Sequence, residues 1–176
     1  AYLLPGGSDP QLYRVHTDPA QWATNWVIPF NDPAPPGPGW AQMGVQRATS
    51  TVAWTGQHVV AIVRFDWTMD QVAPWYVADQ YISRERIYVV DPAGPTLVWQ
   101  AEVANQTVSR QQDVPALGLC PSPVVLNDGT TTWLGVASSL GASFRYYRAD
   151  SGALGPSFSL AGERWAGAAS PAAANG

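Results

Sequence analysis

Residues 87–100, with the sequence IYVVDPAGPTLVWQ, contain the pattern that decides the fold. An apolar, β-branched run leads into Asp91-Pro92-Ala93-Gly94, and a second apolar run follows and carries Trp99. An aspartate at the start of such a turn accepts hydrogen bonds from backbone N–H groups within the turn. The segment therefore predicts a β-hairpin, and similar segments elsewhere extend this prediction to the rest of the chain.

Three copies of this pattern occur, each with an apolar and aromatic strand before the aspartate and a large aromatic residue eight positions after it. The aromatic residue supplies a large area for burial on the returning strand. Each copy thus predicts a strand, an aspartate-led turn and a second strand with an inward-facing ring. The three pairs are Asp18 with Trp26, Asp91 with Trp99, and Asp150 with Phe158.

A second type of hairpin turn precedes two of these copies. Gly56 and Gly129 lie in these turns and are 73 residues apart, which is also the separation of Asp18 and Asp91. The sequence Asn127-Asp128-Gly129 is a strong hairpin signal. The shared spacing indicates an internal structural repeat.

The repeat divides the chain into units. We expect one all-β domain over residues 1–165, followed by an extended tail. The uncharged Ala/Gly/Ser/Pro tail cannot pack on itself, so we expect it to be held by a neighbouring subunit. Four prolines in nine residues predict an extended path for the arm that joins the first two units. The segments are a half unit at 11–30, a Pro-rich arm at 31–39, full four-stranded units at 50–104 and 121–160, and the tail at 166–176.

Strand patterns dominate the chain, and helix patterns are almost absent. Residues 19–26 are long enough for one helical turn, but their side chains argue against it. The fold class is therefore all-β, antiparallel, with short connections. The clearest predicted strands are Val59–Phe65, Arg86–Val90, Thr96–Val103, Ser122–Leu126, Thr130–Ala137 and Ser143–Arg148.

The segment at residues 87–100 resembles the outer hairpin of quinoprotein-type β-propeller blades. The resemblance covers about two and a half blades, and the family's turn normally has one more residue before its glycine. Since propellers typically have four to eight blades, it implies either closure by oligomerisation or an unclosed stack of blade-like sheets. No cofactor residues carry over from that family. The alternative is a single β-sandwich with long loops.

Composition excludes several classes of function. The nine basic residues are all arginine and the net charge is −4, so the chain lacks the basic stripe of a nucleic-acid-binding protein. It has no run of 18 apolar residues, so we expect no membrane partner. The single cysteine, Cys120, has no partner for a disulfide or a zinc site and is expected to be a small buried residue.

No catalytic constellation is evident. His16 and His58 fall in or beside predicted strands, and no recognised nucleophile, phosphate-binding or metal-binding motif is present. Four acidic residues cluster in one region, which we interpret as a solvated loop; calcium binding is the alternative, although their spacing matches no EF-hand loop. We therefore expect a protein that is not an enzyme and that has no cofactor and no metal. The acidic residues are Asp66, Asp70, Asp79 and Glu85.

The nine tryptophans are the most unusual feature of the composition. Those in predicted strands, at positions 26, 54, 99 and 133, are assigned to the core. Residues 66–81 form a long aromatic insertion between two hairpins, and exposed aromatics of this kind contact proteins or sugars. The alternative is that they fold back over the domain's own core. The candidate interaction surface is Trp40, Trp67, Trp75, Tyr76, Tyr81 and Trp165.

Two functional hypotheses follow. The first is a structural assembly protein, namely a decoration or tail component of a virus particle such as a phage, which contacts copies of itself or neighbouring subunits. The second is a lectin-like, carbohydrate-binding protein that oligomerises through propeller-like blades and binds glycans. Both hypotheses place the protein in a virion or outside the cell.

Overall fold

The computed structural model describes residues 1–4, 11–16, 18–30, 37–38, 40–42, 52–69, 80–108, 120–140 and 143–159. Within these residues the chain forms twelve β-strands and one 3₁₀ helix. The expected all-β, antiparallel fold class is confirmed. No helix in the described ranges is both long enough and apolar enough to cross a membrane.

The strands form three antiparallel sheets. The first sheet has the order β1-β2-β3, and the third sheet has the order β12-β11-β10-β9. The middle sheet has the order β4-β6-β7-β8, with β5 also pairing with β6. The strands are β1 (Tyr2–Leu3), β2 (Gln11–Arg14), β3 (Trp26–Pro29), β4 (Trp40–Gln42), β5 (Ala53–Trp54), β6 (Val59–Met69), β7 (Gln80–Asp91), β8 (Thr96–Val108), β9 (Val124–Asn127), β10 (Thr132–Ala137), β11 (Ser143–Arg148) and β12 (Leu154–Ser159).

The middle sheet is packed between the other two. Successive side chains of a strand point to opposite faces, so the long strand β6 contributes to two separate cores. Val60 and Ile62 belong to the core shared with the third sheet, where Leu134 and Val136 meet them. The intervening residues of β6 belong to the core shared with the first sheet, together with Leu12.

The aspartate-led hairpins are present as the sequence predicted. Asp18 Oδ1 accepts a 3.0 Å hydrogen bond from the backbone N–H of Ala20. Asp91 Oδ1 accepts a 2.8 Å bond from the N–H of Ala93 in the same way. Strands β2 and β3, β7 and β8, and β11 and β12 pair on either side of the three turns.

The first of these turns differs from expectation in its length. Pro19–Thr24 forms a 3₁₀ helix, although its composition argued against a helical turn. Asp18 caps this helix. Pro19 occupies its first turn, where a backbone N–H would have no partner within the helix, so the missing N–H of proline costs nothing. The cap and the proline outweigh the weak helix preference of the residues that follow.

The two glycine turns separated by 73 residues have the same geometry. Gly56 and Gly129 have φ angles of 96° and 91°, which glycine adopts without steric cost. Thr55 Oγ1 accepts a 2.9 Å hydrogen bond from the N–H of His58. Asp128 Oδ1 accepts a 2.7 Å bond from the N–H three residues further on. The Thr55 hydroxyl and the Asp128 carboxylate, at equivalent positions, thus accept the same backbone hydrogen bond of the turn.

The predicted insertion at 66–81 is shorter than expected. Strand β6 continues to Met69 and β7 begins at Gln80, so both ends of the segment belong to the middle sheet. Within the Pro-rich arm only residues 37–38 are described, as a bend and a turn. The rest of the arm and the tail at 166–176 lie outside the described residues.

Candidate functional site

The candidate site is the outer face of the third sheet, defined as the side of this sheet that points away from the middle sheet. Leu134 is buried against the middle sheet, so its neighbour Trp133 points to the outer face. Tyr147 is buried in the same core, so Tyr146 points outward. Phe158 lies opposite Phe144 in the register of β11 and β12 and shares this face with it.

Three aromatic rings contact one another along this face. The ring centroids of Phe144 and Tyr146 are 5.1 Å apart with an interplanar angle of 76°. Those of Tyr146 and Phe158 are 6.1 Å apart at 82°. Edge-to-face contacts of this kind hold rings in fixed orientations. The outer face is therefore a preformed aromatic surface.

Two glycines allow these rings to lie close to the sheet. A Cβ atom at Gly135 would be 2.7 Å from Cζ of Phe144 and 3.3 Å from Cε1 of Tyr146. A Cβ atom at Gly155 would be 2.6 Å from Cζ3 of Trp133. Because no side chain stands at these positions, the rings of Phe144 and Trp133 can lie directly over the backbone of the sheet.

A groove of about 360 Å³ crosses the outer face between Trp133 and Tyr146, with Leu126 and Pro156 also in its lining. At its rim, Asp128 Oδ2 accepts a 3.0 Å hydrogen bond from the indole Nε1 of Trp133. This bond and the N–H groups of the turn hold the pKa of the Asp128 carboxyl well below its usual range. The rim carboxylate is thus occupied within the chain, and the groove itself is apolar.

Phe158 has no sheet over it among the described residues. Its side chain is 56% exposed, whereas its two ring neighbours on β11 are only partly exposed. The expectation that the aromatic after Asp150 would be buried is therefore wrong for Phe158. The physical reason is its position in the last sheet of the described stack, where no following sheet covers it.

Two of the residues assigned to an exposed interaction surface are buried. Trp67 is 2% exposed, and its ring stacks on Phe65 at 6.1 Å between centroids. The guanidinium of Arg84 lies 5.4 Å from the Trp67 ring. Tyr81 is also buried. Their assignment to an exposed surface is corrected because β6 and β7 extend far enough to place both rings in the middle sheet.

The other residues of that surface are only partly described. Trp40 lies in β4, where its backbone pairs with that of Met69. The structure describes the backbone of Trp40 and not its side chain. Trp75, Tyr76 and Trp165 lie outside the described residues. The interaction surface predicted from the insertion and the aromatic outer face are therefore different parts of the chain.

The expected solvated acidic loop is wrong for two of its four members. Asp66 is buried, and it accepts hydrogen bonds from Arg64 Nε at 3.3 Å and from Ser83 Oγ at 2.5 Å. Glu85 is also buried, and it accepts a 2.6 Å bond from Ser138 Oγ. These carboxylates are satisfied by neighbours on the sheets rather than by water. Asp70 and Asp79 lie outside the described residues.

Glu85 connects the middle sheet to the third sheet. The backbone N–H of Ser139 donates to its Oε1 at 3.0 Å, and the Ser139 hydroxyl donates to the same atom. Burial raises the pKa of Glu85 and outweighs the hydrogen bonds, which favour the charged form. Burial likewise raises the pKa of Asp66. The enclosed cluster serves packing between the sheets.

Cys120 is buried at the edge of this cluster, as expected for a small apolar residue. Burial raises the pKa of its thiol well above the ordinary value, so the thiolate is disfavoured. Among the described residues, no three His, Cys, Asp or Glu side chains come together in a group that could hold a metal ion.

A second, polar cleft of about 330 Å³ lies between the two equivalent glycine turns and the turn after β11. The cleft is lined by backbone and hydroxyl groups, with His58 and one ion pair. In that pair, Arg148 Nη2 is 2.7 Å from Asp150 Oδ2. Because these two charges neutralise each other, the cleft offers no strong charge to a ligand.

Comparison with protein-family models and with curated proteins finds no match to this chain.

Proposed function

We propose that this protein is a non-enzymatic structural component of a larger protein assembly. It joins the assembly by packing its aromatic outer face against a neighbouring β-sheet. The observation that carries the proposal is the exposure of Phe158 beside Phe144 and Tyr146 on the outer face. An apolar face held in place by its own ring contacts favours a protein contact, because aromatic residues dominate the centres of protein interfaces.

The packing of the chain supports a sheet as the partner. Both faces of the middle sheet are already covered by sheets of the same chain. Sheets pack face to face at about 10 Å through interdigitating apolar side chains. The outer face has the same kind of side chains without such a cover among the described residues.

The proposal places this assembly in a virus particle, as a decoration or tail component. The sequence supports this placement through its low charge, its Pro-rich arm at 31–39 and its uncharged tail at 166–176. We expect segments of this composition to be buried on neighbouring subunits. Detection of the chain in purified particles, at constant stoichiometry to the coat protein, tests the placement; its absence from the particles contradicts it.

The assembly proposal is tested by native size fractionation of the material that contains the protein. We expect the wild-type chain to run in a complex of at least twice 18.9 kDa, and Phe158→Ser to shift it towards the mass of one chain. Leu154→Ser is the matched control, because Leu154 lies on the same strand and is 60% exposed, but pairs with the inward-facing Tyr147. A wild-type chain that runs alone, or a complex unaffected by Phe158→Ser, would overturn the proposal.

Carbohydrate binding is a second candidate, favoured by the groove between Trp133 and Tyr146. Aromatic rings stack on sugar faces, but sugar hydroxyls also need polar partners. Here Asp128 is engaged by its own turn, and Asn127 Oδ1 accepts a 2.8 Å bond from the N–H of Gly129. The assembly proposal therefore accounts for more of the face.

A glycan array separates the two candidates. Carbohydrate binding predicts a signal that Trp133→Ala abolishes and that Trp22→Ala, at a 58% exposed tryptophan on the 3₁₀ helix, leaves intact. Failure of the wild-type protein to bind any glycan would exclude the second candidate and leave the assembly proposal unchanged.

A further inference from the structure

We infer that the sheet covering the outer face is the first sheet of a second copy of this chain, so that copies associate head to tail. This inference rests on the proposed function and names the partner of the same face. The internal repeat supports this inference, because each sheet that is followed by another uses the equivalent face to contact it.

The register of the strands makes the middle and third sheets equivalent. In the middle sheet, Val60 of β6 lies opposite Val89 of β7. In the third sheet, Trp133 lies 73 residues after Val60 and opposite Arg148. The two pairs occupy the same rung of equivalent hairpins. Val60 and Val89 are buried against the third sheet, whereas their equivalents lie on the outer face.

The next rung repeats this relationship. Ile62 pairs with Ile87 in the middle sheet, and both are buried against the third sheet. Gly135 pairs with Tyr146 in the third sheet, at the equivalent rung on the outer face. The outer face is therefore the counterpart of a face that already binds a sheet within this chain.

The first sheet follows the same rule. Tyr2 lies opposite Arg14, so these two residues share one face of the first sheet. Tyr2 packs against the core shared with the middle sheet, and Arg14 Nη1 donates a 3.4 Å bond to the carbonyl oxygen of Pro92. The first sheet thus uses this face to contact the middle sheet, as the middle sheet uses it to contact the third.

The aromatic residue eight positions after each aspartate marks the same face in all three sheets. Trp26 packs into the core between the first and middle sheets. Trp99 packs into the core between the middle and third sheets. Phe158 lies on the equivalent face of the third sheet, where its side chain is exposed. Two of the three aromatics therefore pack against the following sheet, whereas no sheet in the described part of the chain follows Phe158.

The opposite end of the stack presents a matching surface. Leu12 of β2 is buried against the middle sheet, so Tyr13 points away from the stack. Tyr13 lies opposite Val27, and these two side chains are 36% and 48% exposed. Tyr13 Oη donates a 2.7 Å hydrogen bond to Gln11 Oε1, which satisfies the hydroxyl within the face.

Each end carries few charges among the described residues that form it. On the outer face, Arg148 is paired with Asp150 at 2.7 Å. The described residues of the first sheet's outward side are the uncharged Gln11, Tyr13, Val27 and Pro29. The Asp128 carboxylate at the groove rim has no cation beside it, but it accepts hydrogen bonds from Trp133 Nε1 and from its own turn, which lower the cost of covering it.

Two different surfaces make this contact heterologous, and a heterologous contact must close into a ring or extend as a filament. The described residues of each chain supply three sheets. Two chains therefore supply six, within the range of about four to eight sheets found in closed rings of this kind. We infer a closed pair of chains in which each outer face covers the first sheet of the other chain.

The test is the mass of the recombinant full chain in light scattering after size exclusion, at about 50 µM, where even weak micromolar contacts are populated. We expect about twice the 18.9 kDa of one chain. The closed pair contains two identical contacts between an outer face and a first sheet, so each substitution weakens both. Phe158→Ser and Val27→Ser should therefore each raise the dissociation constant of the pair by about 100-fold. Leu154→Ser should leave it unchanged.

Chemical cross-linking tests the orientation of the contact. Val27→Cys and Phe158→Cys chains are mixed and treated with a short bismaleimide; the native Cys120 is buried. Head-to-tail packing predicts mainly mixed adducts. Predominant adducts between two Phe158→Cys chains, or insensitivity to Val27→Ser, would show packing of identical faces and overturn the inference.

The circular dichroism spectrum and melting temperature of each variant, measured at low concentration, verify that it folds. A monomeric recombinant chain at 50 µM would overturn the inference. If the native material still contained a large Phe158-dependent complex, the proposed function would stand with a different protein as partner.

Discussion

The indole Nε1 of Trp99 donates a 2.9 Å hydrogen bond to the carbonyl oxygen of Ala149. Trp99 belongs to β8 of the middle sheet, and Ala149 belongs to the turn after β11 of the third sheet. The Trp99 ring also lies over Gly152 in the same turn, where a Cβ atom would be 2.7 Å from its Cε3. A repeated aromatic of one sheet is thereby fixed to the turn of the next.

Replacement of Trp99 by phenylalanine removes this hydrogen bond and keeps an aromatic ring. We expect Trp99→Phe to lower the free energy of unfolding by about 1–2 kcal/mol, because the loss leaves a carbonyl oxygen unpaired and reduces packing. Urea denaturation at fixed protein concentration measures the change. Trp22→Phe is the control, since the Nε1 of the exposed Trp22 donates a 3.1 Å bond to His16 within one loop. An equal loss in both variants would contradict the role assigned to Trp99.

The buried carboxylates predict that the protein is more stable in mild acid than at neutral pH. Burial raises the pKa of Glu85 above its ordinary value of 4.5, and that of Asp66 above 3.8. Between the ordinary and the raised pKa, the folded state binds more protons than the unfolded state. The free energy of unfolding therefore falls as the pH rises through the raised values and is highest near the ordinary ones.

Urea midpoints between pH 4.5 and 7.5 measure this dependence. Glu85→Gln should flatten the profile, because a neutral amide is also neutral in the unfolded chain. The groups that act on Glu85 are Arg64, Cys120 and the two serines at 138 and 139. A wild-type midpoint that rises steadily from pH 4.5 to 7.5 would contradict the prediction.

Replacement of four glycines by alanine, one at a time, should change the stability of the protein in a fixed order. Gly94 has open space for a Cβ atom and no positive φ, so Gly94→Ala should be neutral or slightly stabilising. Gly56→Ala and Gly129→Ala should each cost about 1 kcal/mol through backbone strain alone. Gly152→Ala should cost more, because its positive φ is combined with the contact to Trp99. Thermal denaturation measures the order, and a Gly152 variant as stable as Gly94→Ala would contradict it.

Trp67 was assigned to a binding surface from its sequence context, and its burial leads to a different expectation. Trp67→Ala should lower the free energy of unfolding by about 3–5 kcal/mol, the usual cost of removing a buried aromatic side chain. Chemical denaturation measures this cost, with the exposed Trp22→Ala as the control. Preserved stability combined with lost association would restore the surface assignment.

The local patterns of the sequence were sufficient to predict the fold class and the turns. Asp91 and Gly129 act through their immediate neighbours in the chain, so their roles are visible in a few residues of sequence. The burial of Trp67 and Glu85 was not visible, because it depends on how far β6 and β7 extend and on which sheet covers them. Such long-range contacts leave no local signature.

The candidate site was predicted only in part. The repeat identified Phe158 as the third aromatic of its series, but the sequence alone assigned it to the core with the other two. Its exposure follows from the order of the sheets, since it stands on the last one described. The role of Gly135 and Gly155 is also not visible in the sequence, because these glycines matter only once the rings above them are placed.

The common packing direction of the three sheets has a consequence for how such a chain can change in evolution. If the segment that encodes β9–β12 were duplicated at its end, the new unit would cover Phe158 and present its own copy of that residue to solvent. Gene duplication can therefore add sheets to the stack, but the last sheet would still expose an aromatic face. Such a series ends when its last surface meets its first, or when an unrelated protein caps it.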